Sequence, residues 1–231
     1  GEMSNSARVD DSGILLSNHS YGPFAGWDSQ SNTWFGDPDI SESEDWTFGF
    51  YGNTSRTMDV LAYNSPYYLA AWAAGNDRGE NGNSGPYPAD GPYDIISGRG
   101  IAKNVLTVGA VRKLTSYQGP ESVVMSGFSS WGPVDDGRIK PDIVGAGVGI
   151  VSTFETGDEA YGPLNGTSMA TPNVVGTLAL IQELNQKLEG TYLKSSALKG
   201  LAIHTAREAG TSDGPDYSFG WGLMNGKGAA D

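Results

Sequence analysis

Ser168 lies in the string Asn165-Gly166-Thr167-Ser168-Met169-Ala170-Thr171-Pro172. An apolar run with helical spacing starts at the same place: Ala170, Val174, Leu178, Ile181, Leu184 and Leu188. Pro172 fits the first turn of such a helix, where its missing N–H leaves nothing unpaired. The spacing therefore predicts a helix to about Leu188, with Ser168 at or just before its N-terminus. The free backbone N–H groups and positive dipole end there favour an anion. A serine hydroxyl in that position can attack a carbonyl carbon, and its own N–H can help bind the oxyanion that forms. A simple Ser/Thr helix cap uses the same residue types.

A nucleophilic serine needs a base, and the base needs an orienting carboxylate. The chain holds two histidines, His19 and His204. His19 falls at the end of a short apolar run from Ile14 to Asn18, read as a buried strand. His204 falls in a helical stretch beside Leu201, Ala202 and Ile203. Both read as packed or hydrogen-bonded structural residues.

The elements that must position these groups alternate. Residues 1–13 are polar and read as a loop, and residues 23–53 form a long surface excursion with no clear period. Residues 55–64 fit a short helix with Ser55 as cap and Met58, Leu61 and Ala62 on one face. Residues 67–74 and 105–111 read as strands, separated by a Gly/Pro/Asn loop over 78–100. A turn-rich loop over 128–138 follows, then short strands at 143–144 and 150–152, the helix after Ser168, and a helix over 195–206. Strands alternating with helices predict an α/β layered fold with a largely parallel sheet. Functional residues gather where such strands end and helices begin. Ser20, Asn76 and Ser168 all occupy such junctions.

Composition bounds the function. The 231 residues suit one domain or at most two, with 34 Gly and 18% charged residues. A net charge of −13 argues against a nucleic-acid or anionic-membrane partner. The absence of Cys removes disulfides and thiol catalysis. No apolar run approaches a membrane span, and Gly1-Glu2-Met3-Ser4 has neither the basic nor the apolar region of a signal peptide.

The string around Ser168 resembles the nucleophile motif of subtilisin-like serine peptidases. Ala73-Ala74-Gly75-Asn76-Asp77 is similar to that family's oxyanion-asparagine motif. Ser129-Ser130-Trp131-Gly132-Pro133 and Arg138-Ile139-Lys140-Pro141-Asp142-Ile143 resemble its following loop-and-strand segment. Phe219-Gly220-Trp221-Gly222-Leu223-Met224-Asn225 resembles its closing turn. The order is the family's, and the resemblance runs from about Ile14 to Ala230. It implies a serine endopeptidase on a three-layer parallel-sheet fold. Ser168 would be the nucleophile. The Asn76 side chain and the Ser168 N–H would bind the oxyanion. Ser20, Tyr21 and Gly22 would pair with an extended polypeptide substrate. Ala73, Ala74 and Gly75 would wall an open pocket for the side chain before the scissile bond.

The family's order is Asp, His, Ser, and no His-Gly-Thr-His type of motif occurs here. Asp11-Ser12-Gly13-Ile14 imitates the aspartate motif, but Ile14 leads directly into the substrate strand and leaves no room for the histidine segment. The resemblance thus implies a fold incomplete at its N-terminal side, comprising the C-terminal two-thirds of a catalytic domain and inactive alone. The strands near Leu15, Leu69, Leu106 and Ile143 would be adjacent. The Leu15 strand would bare an edge between Ile14 and Ser17, which the missing part or another chain would cover.

No cofactor is required for the chemistry. The resemblance allows a structural Ca²⁺ near Asp135 and Asp136 and the carbonyls of residues 100–105, where a solvated acidic turn is the simpler reading and no metal ligand is assigned. Gly145-Ala146-Gly147 imitates a dinucleotide loop but continues as strand rather than opening a helix. The cysteine-free, acidic composition fits a secreted, bacterial-type protein. Two other functions fit the same residues: a pseudopeptidase that binds polypeptide without cutting it, and an extracellular glycan-binding module using Trp27, Trp34 and Trp46.

Overall fold

The computed structural model describes residue 3, residue 7, residues 13–89 and residues 91–231. Asp11 and Ser12 of the imitation aspartate motif lie outside the described residues, as does most of the segment read as an N-terminal loop. In chain order the strands are β1 (Leu16–His19), β2 (Trp27–Asp28), β3 (Thr33–Trp34), β4 (Leu69–Ala73), β5 (Leu106–Arg112), β6 (Ile143–Val148), β7 (Ile150–Thr153) and β8 (Tyr161–Leu164). The helices are α1 (Asn53–Asn64), α2 (Thr167–Glu189), α3 (Ser195–His204) and α4 (Gly226–Ala230).

Four of the strands form one parallel sheet in the order β1-β4-β5-β6. Leu16 lies opposite Leu69, Ala71 opposite Leu106, and Val108 opposite Ile143. The four strands expected to be neighbours are neighbours. Side chains alternate across each strand, and the sheet is covered on both faces accordingly. Leu69 and Ala71 point with Leu106, Val108, Ala110 and Ile143 into a core closed by Ala170, Val174, Leu178 and Ile181 of α2 and Leu198 and Ala202 of α3. Tyr68, Ala70 and Trp72 point the other way, onto Met58 and Leu61 of α1. Helix, sheet and helix make the three layers.

Helix α2 lies close to the sheet because β6 is small where they meet. A Cβ on Gly147 would stand 2.6 Å from the Gly166 carbonyl oxygen, and one on Gly145 would stand 2.8 Å from Val174 Cγ2. The glycines that imitate a nucleotide loop thus seat the helix that carries Ser168. Leu188 departs from the expected apolar stripe and is exposed, since the last turn of α2 runs past the sheet. Gly190, left-handed at φ 71°, ends the helix. The buried Gln182 then holds the turn to α3, accepting from the Leu193 N–H and donating to the Leu193 carbonyl.

Two other expectations change. Ser55 does not cap α1. Gly52 occupies the cap, and Ser55 is buried in the first turn, donating 2.8 Å to the Gly98 carbonyl. His204 is exposed as the last residue of α3 rather than packed, because the buried positions of that helix are Leu198 and Ala202. Strand β1 ends the sheet and pairs in it with β4 alone. Ala7 bridges Ile14 in parallel, while Ile14 remains 42% exposed and Leu15, Leu16 and Ser17 are half-buried. No described helix is long and apolar enough to cross a membrane.

Candidate active site

Ser168 is the second residue of α2, half-buried, behind the buried Thr167 and the cap residue Gly166. Its backbone N–H is among those a helix start leaves unpaired. Pro172 is the sixth residue of the helix, not in its first turn. A residue there ordinarily donates to the carbonyl four positions back, which is that of Ser168. Proline has no proton to give, and the Ser20 hydroxyl donates to the Ser168 carbonyl instead, at 3.0 Å. The Ser168 hydroxyl in turn faces the Ser20 carbonyl at 3.4 Å. The proline therefore opens a joint that ties the Ser168 turn to the end of β1.

Asn76 follows β4 at the left-handed Gly75 (φ 111°) and is exposed to the cleft. A Cβ at Gly75 would meet Asp77 Oδ2 and Ser130 Oγ at 2.8 Å, so the loop requires glycine there. The Thr167 N–H and the Thr167 hydroxyl both lie 3.0 Å from Asn76 Oδ1. A backbone N–H can only donate, so the amide oxygen must face Thr167. The amide nitrogen is then left to face the cleft as a donor. Ser130 braces the same loop, its N–H donating to the Gly75 carbonyl at 3.0 Å and its hydroxyl accepting from the Asp77 N–H at 3.1 Å.

Thr167 and Ser130 are positioning residues that sequence reasoning did not single out, although both lie inside quoted motifs. Their signal was adjacency alone. Thr167→Val keeps the shape and removes one of the two donors on Asn76 Oδ1. In a catalytically complete protein that uses Asn76 as an oxyanion donor, the expected result is about a tenfold loss in kcat with KM little changed, the worth of one hydrogen bond. Steady-state kinetics on a peptide substrate checks it.

Ser20, Tyr21, Gly22, Ala73, Ala74, Gly75, Asn76 and Ser168 all line one cleft. Phe24 and Trp72 line it too. Gly22 is exposed and nothing lies within 4 Å of where its Cβ would stand, which leaves room for a second strand along residues 20–22. The Tyr21 carbonyl is held by the Trp72 indole N–H at 2.8 Å.

Neither histidine is hydrogen-bonded to Ser168. His19 is buried, stacked 4.1 Å from the Trp72 ring, with Nε2 2.6 Å from the Ser17 hydroxyl and Nδ1 2.8 Å from the Tyr21 hydroxyl. Burial, and then the nearby Arg99, hold its pKa below the usual value. It braces the end of β1 between Ser17 and Tyr21. Trp27 and Trp34 stack on Tyr87 with centroids 6.0 and 4.7 Å apart, and Trp46 sits edge-on to Phe50.

Asp77 also lines the cleft. Burial pushes its carboxyl up to about 6, against the lowering effect of its Ser130 hydrogen bond. A carboxyl raised in the folded state makes folding take up protons. Its contribution is most favourable below the unfolded pKa and declines as pH rises through the folded one. Stability should therefore fall by roughly 2 kcal/mol between about pH 4 and pH 6 on account of this group. Asp77→Asn should flatten that part of the profile. Denaturant midpoints at pH 4, 5 and 6 check it.

Asp136, at the implied Ca²⁺ position, is already engaged. Arg138 Nε donates to both oxygens of Asp136, at 2.8 and 2.9 Å. Among the described residues no group of three or more His, Cys, Asp or Glu side chains is arranged to hold a metal.

A family model described as the subtilase family matches residues 2–222. Serine protease AprX of Bacillus subtilis is 34% identical over 132 residues, covering 52% of this chain and 28% of AprX. Minor extracellular protease Vpr of the same organism is 41% identical over 95 residues, covering 39% of this chain and 11% of Vpr. The self-cleaved protease domain of PatA superposes with a TM-score of 0.57 at 23% identity, over 79% of this chain and 56% of that one. That likeness supports the fold. The matched stretches span less than a third of either curated relative's length.

Proposed function

The chain belongs to the subtilase family, and from that premise we propose that it supplies the nucleophile and oxyanion hole of a serine endopeptidase. The observation that carries the reading is the Thr167–Asn76 contact, which turns the asparagine amide N–H into the cleft beside Ser168. The Ser168 hydroxyl would attack the scissile carbonyl and pass its proton to a base. The carbonyl oxygen, now anionic, would be held by Asn76 Nδ2 and the Ser168 N–H at the positive end of α2. Collapse would expel the amine, which takes the proton from the base, and water would then hydrolyse the acyl-serine by the same route. The substrate would lie as an extended strand beside Ser20, Tyr21 and Gly22, with the side chain before the scissile bond against Ala73, Ala74 and Gly75.

The base is the missing partner. His19 holds Ser17 and Tyr21 with its two nitrogens, and His204 ends the exposed tip of α3. We place the catalytic histidine and aspartate on polypeptide outside these 231 residues, lying against the open side of β1, where the sheet has no described neighbour beyond β4. The 231-residue chain alone would then be inactive at an enzymatic rate. Secretion accords with the similarity to Vpr, an extracellular protease. Reaction with a fluorophosphonate tests the whole reading: phosphonylation of Ser168 in the catalytically complete protein supports it, and phosphonylation of another residue refutes it.

A further inference from the structure

The Lys199 ammonium stands where three oxygens converge. It lies 2.7 Å from the Val105 carbonyl, 3.1 Å from the Lys103 carbonyl and 2.9 Å from Asp142 Oδ1. Only 16% of the Lys199 side chain and 8% of that of Asp142 is exposed. The other Asp142 oxygen is filled by the buried Lys140 ammonium at 2.6 Å and by the Thr107 N–H at 2.7 Å. Arg138 completes the pattern one step along the segment, its Nη1 donating 2.9 Å to the Ile101 carbonyl while its Nε holds Asp136. Two backbone carbonyls and a carboxylate are the donor set of a hard cation. Here every one of them meets an N–H at hydrogen-bond length. The Lys199 ammonium already offsets the single carboxylate, and Lys140 takes up the other carboxylate oxygen, so an entering divalent ion would find neither an uncommitted oxygen nor net negative charge among these groups.

We propose that Lys199, with Arg138, is the resident cation of the 101–105 segment, standing where a structural Ca²⁺ would otherwise sit, so that this end of the sheet is held without metal. The side chain reaches from α3 to the residues that lead into β5 and β6, and ties the three together through one charge.

Thermal unfolding of the intact protein in EDTA and in calcium chloride, at matched ionic strength, tests this. Lys199→Ala leaves two carbonyls unpaired and opens space at their focus. It should lower Tm by about 5 °C or more in EDTA, and calcium should restore part of that loss. Lys199→Met, which refills the space with an apolar chain, should lose Tm without restoration. The unchanged protein should shift with calcium no more than Lys199→Met does. One and the same calcium shift in all three proteins would overturn the proposal. If Lys199→Ala does not fold, acetylation of the unchanged protein decides. Lys199 should be modified well behind Lys187 and Lys227, whose side chains are 68% and 79% exposed. Modification at an equal rate would overturn it.

Discussion

Ser168→Ala should lower kcat of the catalytically complete protein by about 10⁶, a scale carried over from subtilisin. The loss is that large because no other hydroxyl in the cleft has both an unpaired N–H of its own and the Asn76 amide beside it. Two neighbouring hydroxyls are committed elsewhere, that of Ser20 to the Ser168 carbonyl and that of Thr167 to Asn76 Oδ1. Alanine leaves the backbone and the helix start unchanged, so substrate binding and Tm should hardly move. A variant that keeps a slow rate, roughly 10³–10⁴ above water, is expected, since the oxyanion donors and the groove remain. Steady-state kinetics with an active-site titration checks it. A variant with near-normal kcat would remove Ser168 from the mechanism.

Asn76→Ala is the second large effect. It should cost about 10²–10³ in kcat with little change in KM, a range set by the same asparagine in subtilisin and carried over to this chain. The selective loss in kcat follows from geometry. In the proposed mechanism the amide N–H would face the place where charge develops, while the ground-state peptide would be held by the strand at Ser20, Tyr21 and Gly22. Asn76→Asp is the sharper variant. It places an oxygen where a donor is needed and a negative charge beside the forming oxyanion. It also sets a second carboxylate next to Asp77, which burial already holds at about 6. It should be slower than Asn76→Ala. Equal kinetics for the two would mean that Asn76 does not meet the oxyanion.

Much of this was legible before any coordinates. The helix after Ser168 followed from its spacing. The adjacency of the four strands followed from motif order, and the eight candidate residues line one cleft. What was not legible depended on long-range geometry. Pro172 reads as a first-turn residue from sequence, yet it sits deeper, where its missing N–H becomes useful only because Ser20 arrives from 148 positions away. Ser55 has the residue type of a cap, but a tertiary acceptor, the Gly98 carbonyl, claimed it. Thr167 and Ser130 were hidden because their roles are to hold another side chain. Asp135 and Asp136 resemble calcium ligands in sequence. Arg138, two residues further on, takes up both oxygens of Asp136.

The most direct test of the account is the site and rate of fluorophosphonate labelling, read by peptide mapping. In the catalytically complete protein the account predicts one adduct, on Ser168, forming more slowly in Asn76→Ala. In the 231-residue chain by itself it predicts no adduct at an enzymatic rate. An adduct on another residue, or Ser168 labelled at full rate by the 231-residue chain alone, would contradict it.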